Sequence, residues 1–479
     1  MPELALNFLS DDELEIVHTR SLRILEKVGV QIGDAAVLDR LGEMGARVDR
    51  QSGRAWIGEM LVVRSLEQAG KSYILHGREP GKVARFGYGD NNLMSSPGQF
   101  AWHDERSGKR SSPRLVNVRQ AAILGDALGE IAVVGGLGVP GDVPERMRDV
   151  AAVAELVRFT GKPTRVFPIS ARSTRYVLEI YASLSGGKEA LCRVPMTETL
   201  LDPISPLQYP ADNLEIVREF VEYGQPICVA PMAMAGGTAP VTLAGTVLQQ
   251  NAEVLAGIVI VQALRPGHPV MYGGIPHILD PRTMLISFGS PEQGLMAAAM
   301  TQMARRYGLP AYINVNLSDS KRLDLQAGME KMAGLMVGIL SGADLFGHAG
   351  ILGADQGGSL AWLAADHFAM QFTRRVKSSF SIDDDHLAGE VISQVGPGGN
   401  FMGERHTVEH MRKELWVPDL VWNRQAYNEW IASQNGSDMV ARILDFVDKT
   451  LEKHHPPALD PNLDRELERI VEAARRELN

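Results

Sequence analysis

Residues 290–315, SPEQGLMAAAMTQMARRYGLPAYINV, hold one complete unit of the chain's dominant pattern. Ser290 is of N-cap type, Pro291 suits the first helical position, and Gln293 stands where a capping box places its glutamine. An apolar-periodic helix follows. Gly308 ends it, because glycine enters the left-handed conformation without a Cβ penalty, and Pro310 forbids continuation. The short apolar run AYINV then reads as a strand.

The unit recurs on both sides. Gly161-Lys162-Pro163 precedes RVFPIS, Gly187 precedes ALCRVP, Gly224-Gln225-Pro226 precedes ICVAP, Gly267-His268-Pro269 precedes VMYGG, and Gly342 precedes ADLFGH. With IAVVGGLG at 131–138 and NLMSSPGQFAW at 92–102, eight strands are expected. Apolar strands separated by helices imply a parallel sheet buried on both faces, and eight of them close into a (β/α)8 TIM barrel. An open doubly wound sheet is the alternative. The barrel is expected over residues 91–375. It follows an N-terminal α+β extension (1–90), whose first helix opens at the capping box Ser10–Glu13 and closes at Gly29. A C-terminal helical cap (376–479) comes after it.

Composition narrows the function. The chain has 479 residues, 45% hydrophobic and 22% charged, which are globular proportions, and a net charge of -10. That balance excludes a basic footprint for nucleic acid. No stretch reads as apolar long enough to cross a bilayer, and the N-terminus lacks a basic flank and apolar run, so a cytoplasmic protein is expected. The two cysteines, Cys192 and Cys228, lie in apolar strand-like runs and suit buried hydrophobes better than a disulfide.

In a barrel of this kind chemistry sits at the C-terminal ends of the strands. The first strand ends near Gln99, Phe100 and Trp102, the fourth near Thr197 and Glu198, and the sixth at Tyr272, Gly273 and Gly274. The seventh delivers Asn314, Asn316, Ser318 and Asp319 with Lys321 and Arg322 behind them, and the eighth delivers Phe346 and His348. Aromatic rings mixed with neutral hydrogen-bonding groups suit a cation held over ring faces, at about 0.5 to 2 kcal/mol per good contact. The competing reading is that the rings fill barrel layers.

Three motifs invite other readings. Gly347, Gly350, Gly353, Gly357 and Gly358 resemble a phosphate-cradling loop without its fixed spacing. His406-Thr407-Val408-Glu409-His410 fits the H-x-x-E-H pattern of some zinc peptidases, but no third ligand is evident, so no metal is expected. Asp384-Asp385-His386-Leu387-Ala388-Gly389 fits the D-x-H-x-x-G loop of corrinoid-binding domains, but the residues after it read as helical rather than as the doubly wound sheet such a domain needs.

The segments GGTAPVTLAGTVLQQNAEVLAG, FGSPEQGLMAAAMTQMARRYGLP, SDSKRLDLQAGMEK and VGPGGNFMGERHTVEHMRKELW, with LSDDELEIVHTRSLRILEKVGV near the start, resemble the trimethylamine methyltransferase superfamily over nearly the whole chain. The resemblance implies a (β/α)8 barrel, a small methylated amine as donor, and the Co(I) corrinoid (cobalamin) of a separate partner protein as acceptor, with no cofactor bound by this chain. It also implies that both the H-T-x-x-H and D-D-D-x-L segments belong to the C-terminal cap. Archetypal members carry pyrrolysine at the barrel mouth, which would fall near Ser318–Arg322. This chain has only the twenty standard residues, like relatives that act on quaternary amines such as betaines or carnitine.

The residues expected to hold the cation are Phe100, Trp102, Tyr272, Phe346 and His348, and those expected to orient a carboxylate are Asn314, Asn316 and Lys321. No catalytic residue is assigned. A homo-oligomer is expected, with no nucleic-acid or membrane partner. The rival readings are a barrel lyase or aldolase on a phosphorylated substrate, with Lys321 as Schiff base, and a betaine-binding protein without turnover.

Overall fold

A computed structural model describes residues 6–419, 421–434 and 436–478. Its centre is eight parallel strands: β1 (Asn92–Ser95), β2 (Ile131–Gly135), β3 (Thr164–Arg165), β4 (Thr199–Leu201), β5 (Ile227–Val229), β6 (Val270–Gly274), β7 (Ala311–Ile313) and β8 (Leu345–Ala349). The barrel helices are α1 (Leu115–Ala127), α2 (Arg148–Phe159), α3 (Ala171–Ser185), α4 (Ala211–Glu222), α5 (Leu243–Leu264), α6 (Pro291–Tyr307), α7 (Leu325–Ser341) and α8 (Leu360–Lys377). This is the expected (β/α)8 order.

Local chemistry sets the helix ends. Gly308 and Gly342 take left-handed φ of 66° and 78° after α6 and α7. Ser290 accepts from the Gln293 N–H at 3.3 Å. The Gln293 side chain does not return to close a capping box. It donates instead to the Asn314 carbonyl, tying α6 to the end of β7.

The hydrogen-bonded order is β3-β2-β1-β8-β7-β6-β5-β4. Among the described residues no backbone ladder joins β3 to β4. A hairpin, Tyr73–His76 and Val83–Phe86, closes that end of the barrel. His76 N–H donates to the Pro195 carbonyl ahead of β4 at 2.8 Å, and Glu79 N–H donates to the Gly161 carbonyl ahead of β3 at 3.1 Å. Gly77 lies so close that an added Cβ would stand 2.0 Å from the Gly161 oxygen, so only glycine fits. Between the two strands Arg165 Nη1 donates to Glu198 Oε1 at 2.9 Å, with both side chains wholly buried.

Two expectations are corrected. ALCRVP is not the fourth strand: Lys188–Arg193 is a short helix on which Cys192 is half-buried, and the strand is Thr199–Leu201. A ladder, not apolarity, defines a strand, and here Leu200 pairs with Cys228 of β5. Second, α5 is long and apolar enough to cross a membrane by length and composition, with 83% of its apolar window buried. A helix apolar on all sides needs cover on all sides. The barrel supplies one side, and the helices Asp11–Lys27, Ala35–Glu43 and Glu59–Gln68 supply the other. At the chain's other end, Met439–Lys453 packs on α8 and α1, and Pro461–Leu478 on α3 and α2.

Candidate active site

Period-two alternation assigns each strand residue to the barrel axis or to the helices. Met94, Leu200, Cys228, Met271, Tyr312 and Leu345 form one cluster with Tyr73, Leu75 and Phe86 of the hairpin, and so fill the axis. Toward the C-terminal ends the lining becomes polar. Arg165 is 1% exposed, its guanidinium carbon 6.0 Å from the Tyr312 ring centre. The Tyr312 hydroxyl lies 3.1 Å from His348 Nε2, and Phe167 stands edge-on to the His348 ring at 5.8 Å. Below them the Tyr73 hydroxyl donates to Glu198.

Several buried atoms here lack a partner: Arg165 Nε and Nη2, His348 Nδ1, Asn314 Oδ1 and Asp202 Oδ1. A buried polar group left unpaired costs about 1 to 3 kcal/mol. So many of them at the strand ends of a barrel make this the candidate ligand site. Burial pushes the Asp202 carboxyl up to about 7, against the pull of Arg165. Burial also pushes His348 down to about 3, with Arg165 acting in the same direction, so this imidazole is neutral at physiological pH.

The structure brings Asn314 and His348 into this cluster. Tyr272 and Phe346 face the other way: the Tyr272 hydroxyl donates to Asn251 Oδ1 on α5 at 2.7 Å, and Phe346 packs against Gly338 of α7. Both occupy the outward phase of strands whose inward residues are Met271 and Leu345. Phe100 is 81% exposed and encloses nothing. Trp102 lies in a hairpin over the mouth, Trp102–Asp104 with Lys109–Ser111, and packs beside Gly138. Asn316 is buried and its carbonyl accepts from Lys331 at 3.2 Å. Lys321 is exposed, donates to the Asp319 carbonyl at 2.7 Å, and lines an outer groove of about 450 Å³ with Arg106, Arg110 and Arg322.

Arg165, Phe167, Asp202 and Tyr312 also stand in this candidate site and are not among the residues singled out from the sequence. One signal was present: Arg165 and Phe167 are two apart in RVFPIS, a charge and a ring on one strand face. The glycine run after β8 serves packing, since a Cβ on Gly358 would meet the Leu137 carbonyl at 2.3 Å. His386 of the D-x-H-x-x-G segment pairs with Asp383 at 2.6 Å, and only helices follow among the described residues.

The profile of the trimethylamine methyltransferase family matches residues 2–479. The chain belongs to that family. A glycine betaine methyltransferase of Desulfitobacterium hafniense is 32% identical to this methyltransferase over 468 residues, spanning 97% of this chain and 96% of the relative. A trimethylamine methyltransferase of the same species is 29% identical over 471 residues, spanning 97% and 93%. Among solved structures, the monomethylamine methyltransferase of Methanosarcina barkeri aligns with a TM-score of 0.54 at 11% identity, covering 96% of this chain and 90% of that one. At that identity the likeness speaks for the fold, and the fold agrees.

Proposed function

We propose that this methyltransferase takes a methyl group from a quaternary amine, glycine betaine or a related betaine. The acceptor is the Co(I) corrinoid of a cytoplasmic partner protein. Arg165 carries the reading. Its charge is already balanced on one side by Glu198, and its Nε and Nη2 remain unpaired inside the barrel. A betaine carboxylate fits that need, because guanidinium and carboxylate match as planar forks. The trimethylammonium group then lies among Phe167, Tyr312 and the neutral His348, with Asp202 as countercharge.

The chemistry needs little more. As the methyl carbon passes to cobalt, the C–N bond breaks and its electron pair stays on nitrogen, leaving a neutral tertiary amine. No proton donor is required, so positioning and exclusion of water carry the catalysis. Trimethylamine itself would expel an amide anion unless protonated, and His348, held neutral, is a poor proton source. The lyase reading finds no support, because Lys321 stands exposed on the rim.

The test mixes the enzyme with cob(I)alamin and a panel of methylated amines and follows cobalamin methylation by absorbance. Turnover is expected with glycine betaine or another quaternary amine, and none with trimethylamine, dimethylamine or monomethylamine. Demethylation of trimethylamine with no activity on any quaternary amine would refute the proposal. Tight betaine binding without turnover would favour a binding protein.

A further inference from the structure

The segment leaving α8 holds a side-chain cluster that the barrel chemistry does not use. Barrel helices run from the mouth back to the far end, and α8 arrives there: Arg374 donates to the carbonyl of Asn91, the residue before β1, and Lys377 Nζ donates to Asn91 Oδ1 at 2.8 Å. The helices Asp384–Leu387, Gly389–Val395 and Arg405–Glu414 follow, and none of them buries a residue. These three helices therefore contribute nothing to the hydrophobic core.

Its two ends meet at histidines and acids. His406 and His410 lie one turn apart on Arg405–Glu414, their rings stacked with centroids 4.3 Å apart. His386 stands edge-on to His410 at 5.2 Å. His410 Nε2 is 3.2 Å from Asp385 Oδ2, and His406 Nε2 is 3.0 Å from the Asp385 carbonyl. One ligand atom each from Asp385, His406 and His410 lies within 4.8 Å of the others, and the same holds for His386, His410 and Glu414.

The geometry points to a structural site for a divalent transition metal, best zinc, held by Asp385, His406 and His410. Imidazole nitrogens with one carboxylate are a zinc donor set, and histidines at i and i+4 present both rings on one helix face. Ligands at zinc bond lengths stand about 3.4 Å apart, so small side-chain rotations close this triad onto an ion and leave the fourth position to water. His386 borders the triad: Asp383 holds its Nδ1 at 2.6 Å, and its Nε2 stands 3.7 Å from Glu414 Oε1.

The site is structural rather than hydrolytic. Glu409, the general base of the peptidase pattern, is tied to Arg405 at 2.7 Å, and the cluster sits at the barrel end opposite the mouth. A metal here closes the loop between residues 385 and 410, so its binding energy becomes folding energy for a segment without a core. The third ligand absent from the H-x-x-E-H pattern comes from Asp385. Two motifs that the barrel leaves idle thus form one site.

The test strips the full-length enzyme with chelator, then titrates zinc against a chromophoric competitor and cobalt by its visible absorption. About one equivalent of zinc is expected, with a tetrahedral cobalt spectrum, and His406→Ala/His410→Ala should weaken binding by about tenfold or more. Asp385→Asn, an exposed and near-isosteric change, should also weaken binding while leaving the circular dichroism of the barrel intact. Zinc should slow proteolysis within residues 378–417. Less than about one-tenth of an equivalent, undiminished binding in both variants, or proteolysis indifferent to zinc would overturn the assignment.

Discussion

Replacing Arg165 with lysine separates recognition of the carboxylate from recognition of the cation. Lysine keeps the positive charge beside Glu198, so no buried carboxylate is abandoned, but it loses the planar fork whose Nε and Nη2 are unpaired in the free protein. A hydrogen bond to a charged group contributes about 1.5 to 3 kcal/mol, so losing two of them costs about 3 kcal/mol or more. That corresponds to about 100-fold in kcat/KM for glycine betaine. Tetramethylammonium has the same cationic head and no carboxylate, and its inhibition constant should change by less than about threefold. The assay is cobalamin methylation at varied betaine concentration, with and without tetramethylammonium. A melting temperature for each variant confirms that the barrel is intact. If Arg165→Lys leaves kcat/KM for betaine unchanged, or weakens both ligands equally, the carboxylate does not sit on Arg165.

Three further outcomes follow from named contacts. The Asp202 carboxyl ionises near 3.8 in the unfolded chain and near 7 in the fold, so its contribution to stability is full below about pH 4 and is lost as pH rises through about 7. Asp202→Asn should flatten that part of the Tm profile and remove a matching rise in affinity for the cation. Lys331 Nζ lies 2.8 and 2.9 Å from the two Asp366 oxygens, both residues wholly buried, so Lys331→Met should cost about 3 to 5 kcal/mol in urea unfolding, and a Lys331→Met/Asp366→Leu pair should recover only part of it, because the buried Gly350 N–H also donates to Asp366 at 2.7 Å. Gly334→Ala would place a Cβ 1.9 Å from the Val315 carbonyl oxygen and should destabilise by about 1 to 3 kcal/mol, whereas Gly328→Ala on the same helix meets open space and should stabilise by about 0.5 to 1 kcal/mol.

The fold was legible because its punctuation is local. Gly224, Gly267, Gly308 and Gly342 all take positive φ at helix ends, a requirement that each residue announces by itself. The lining of the site was harder to read, since a strand buried on both faces has no polar side to fix its phase. Met271 and Tyr272 each suit either face of a buried strand, and only the closed ring shows that the methionine points inward. Arg165 was hidden for another reason. Its partner Glu198 lies 33 residues away across the junction of β3 and β4, beyond any local pattern.

That junction gives the barrel a clasp. Seven of the eight strand boundaries are fastened by main-chain ladders, and the eighth is held by a charge pair and an inserted hairpin. The residue proposed to grip the substrate is therefore also the residue that shuts the ring. Binding and closure are reciprocal: whatever steadies Arg165 steadies β3 against β4, and whatever loosens the clasp weakens the grip by the same free energy. Substrate should then slow amide exchange most at residues 164–166 and 199–201, while the ladders between β5 and β8 stay as they were.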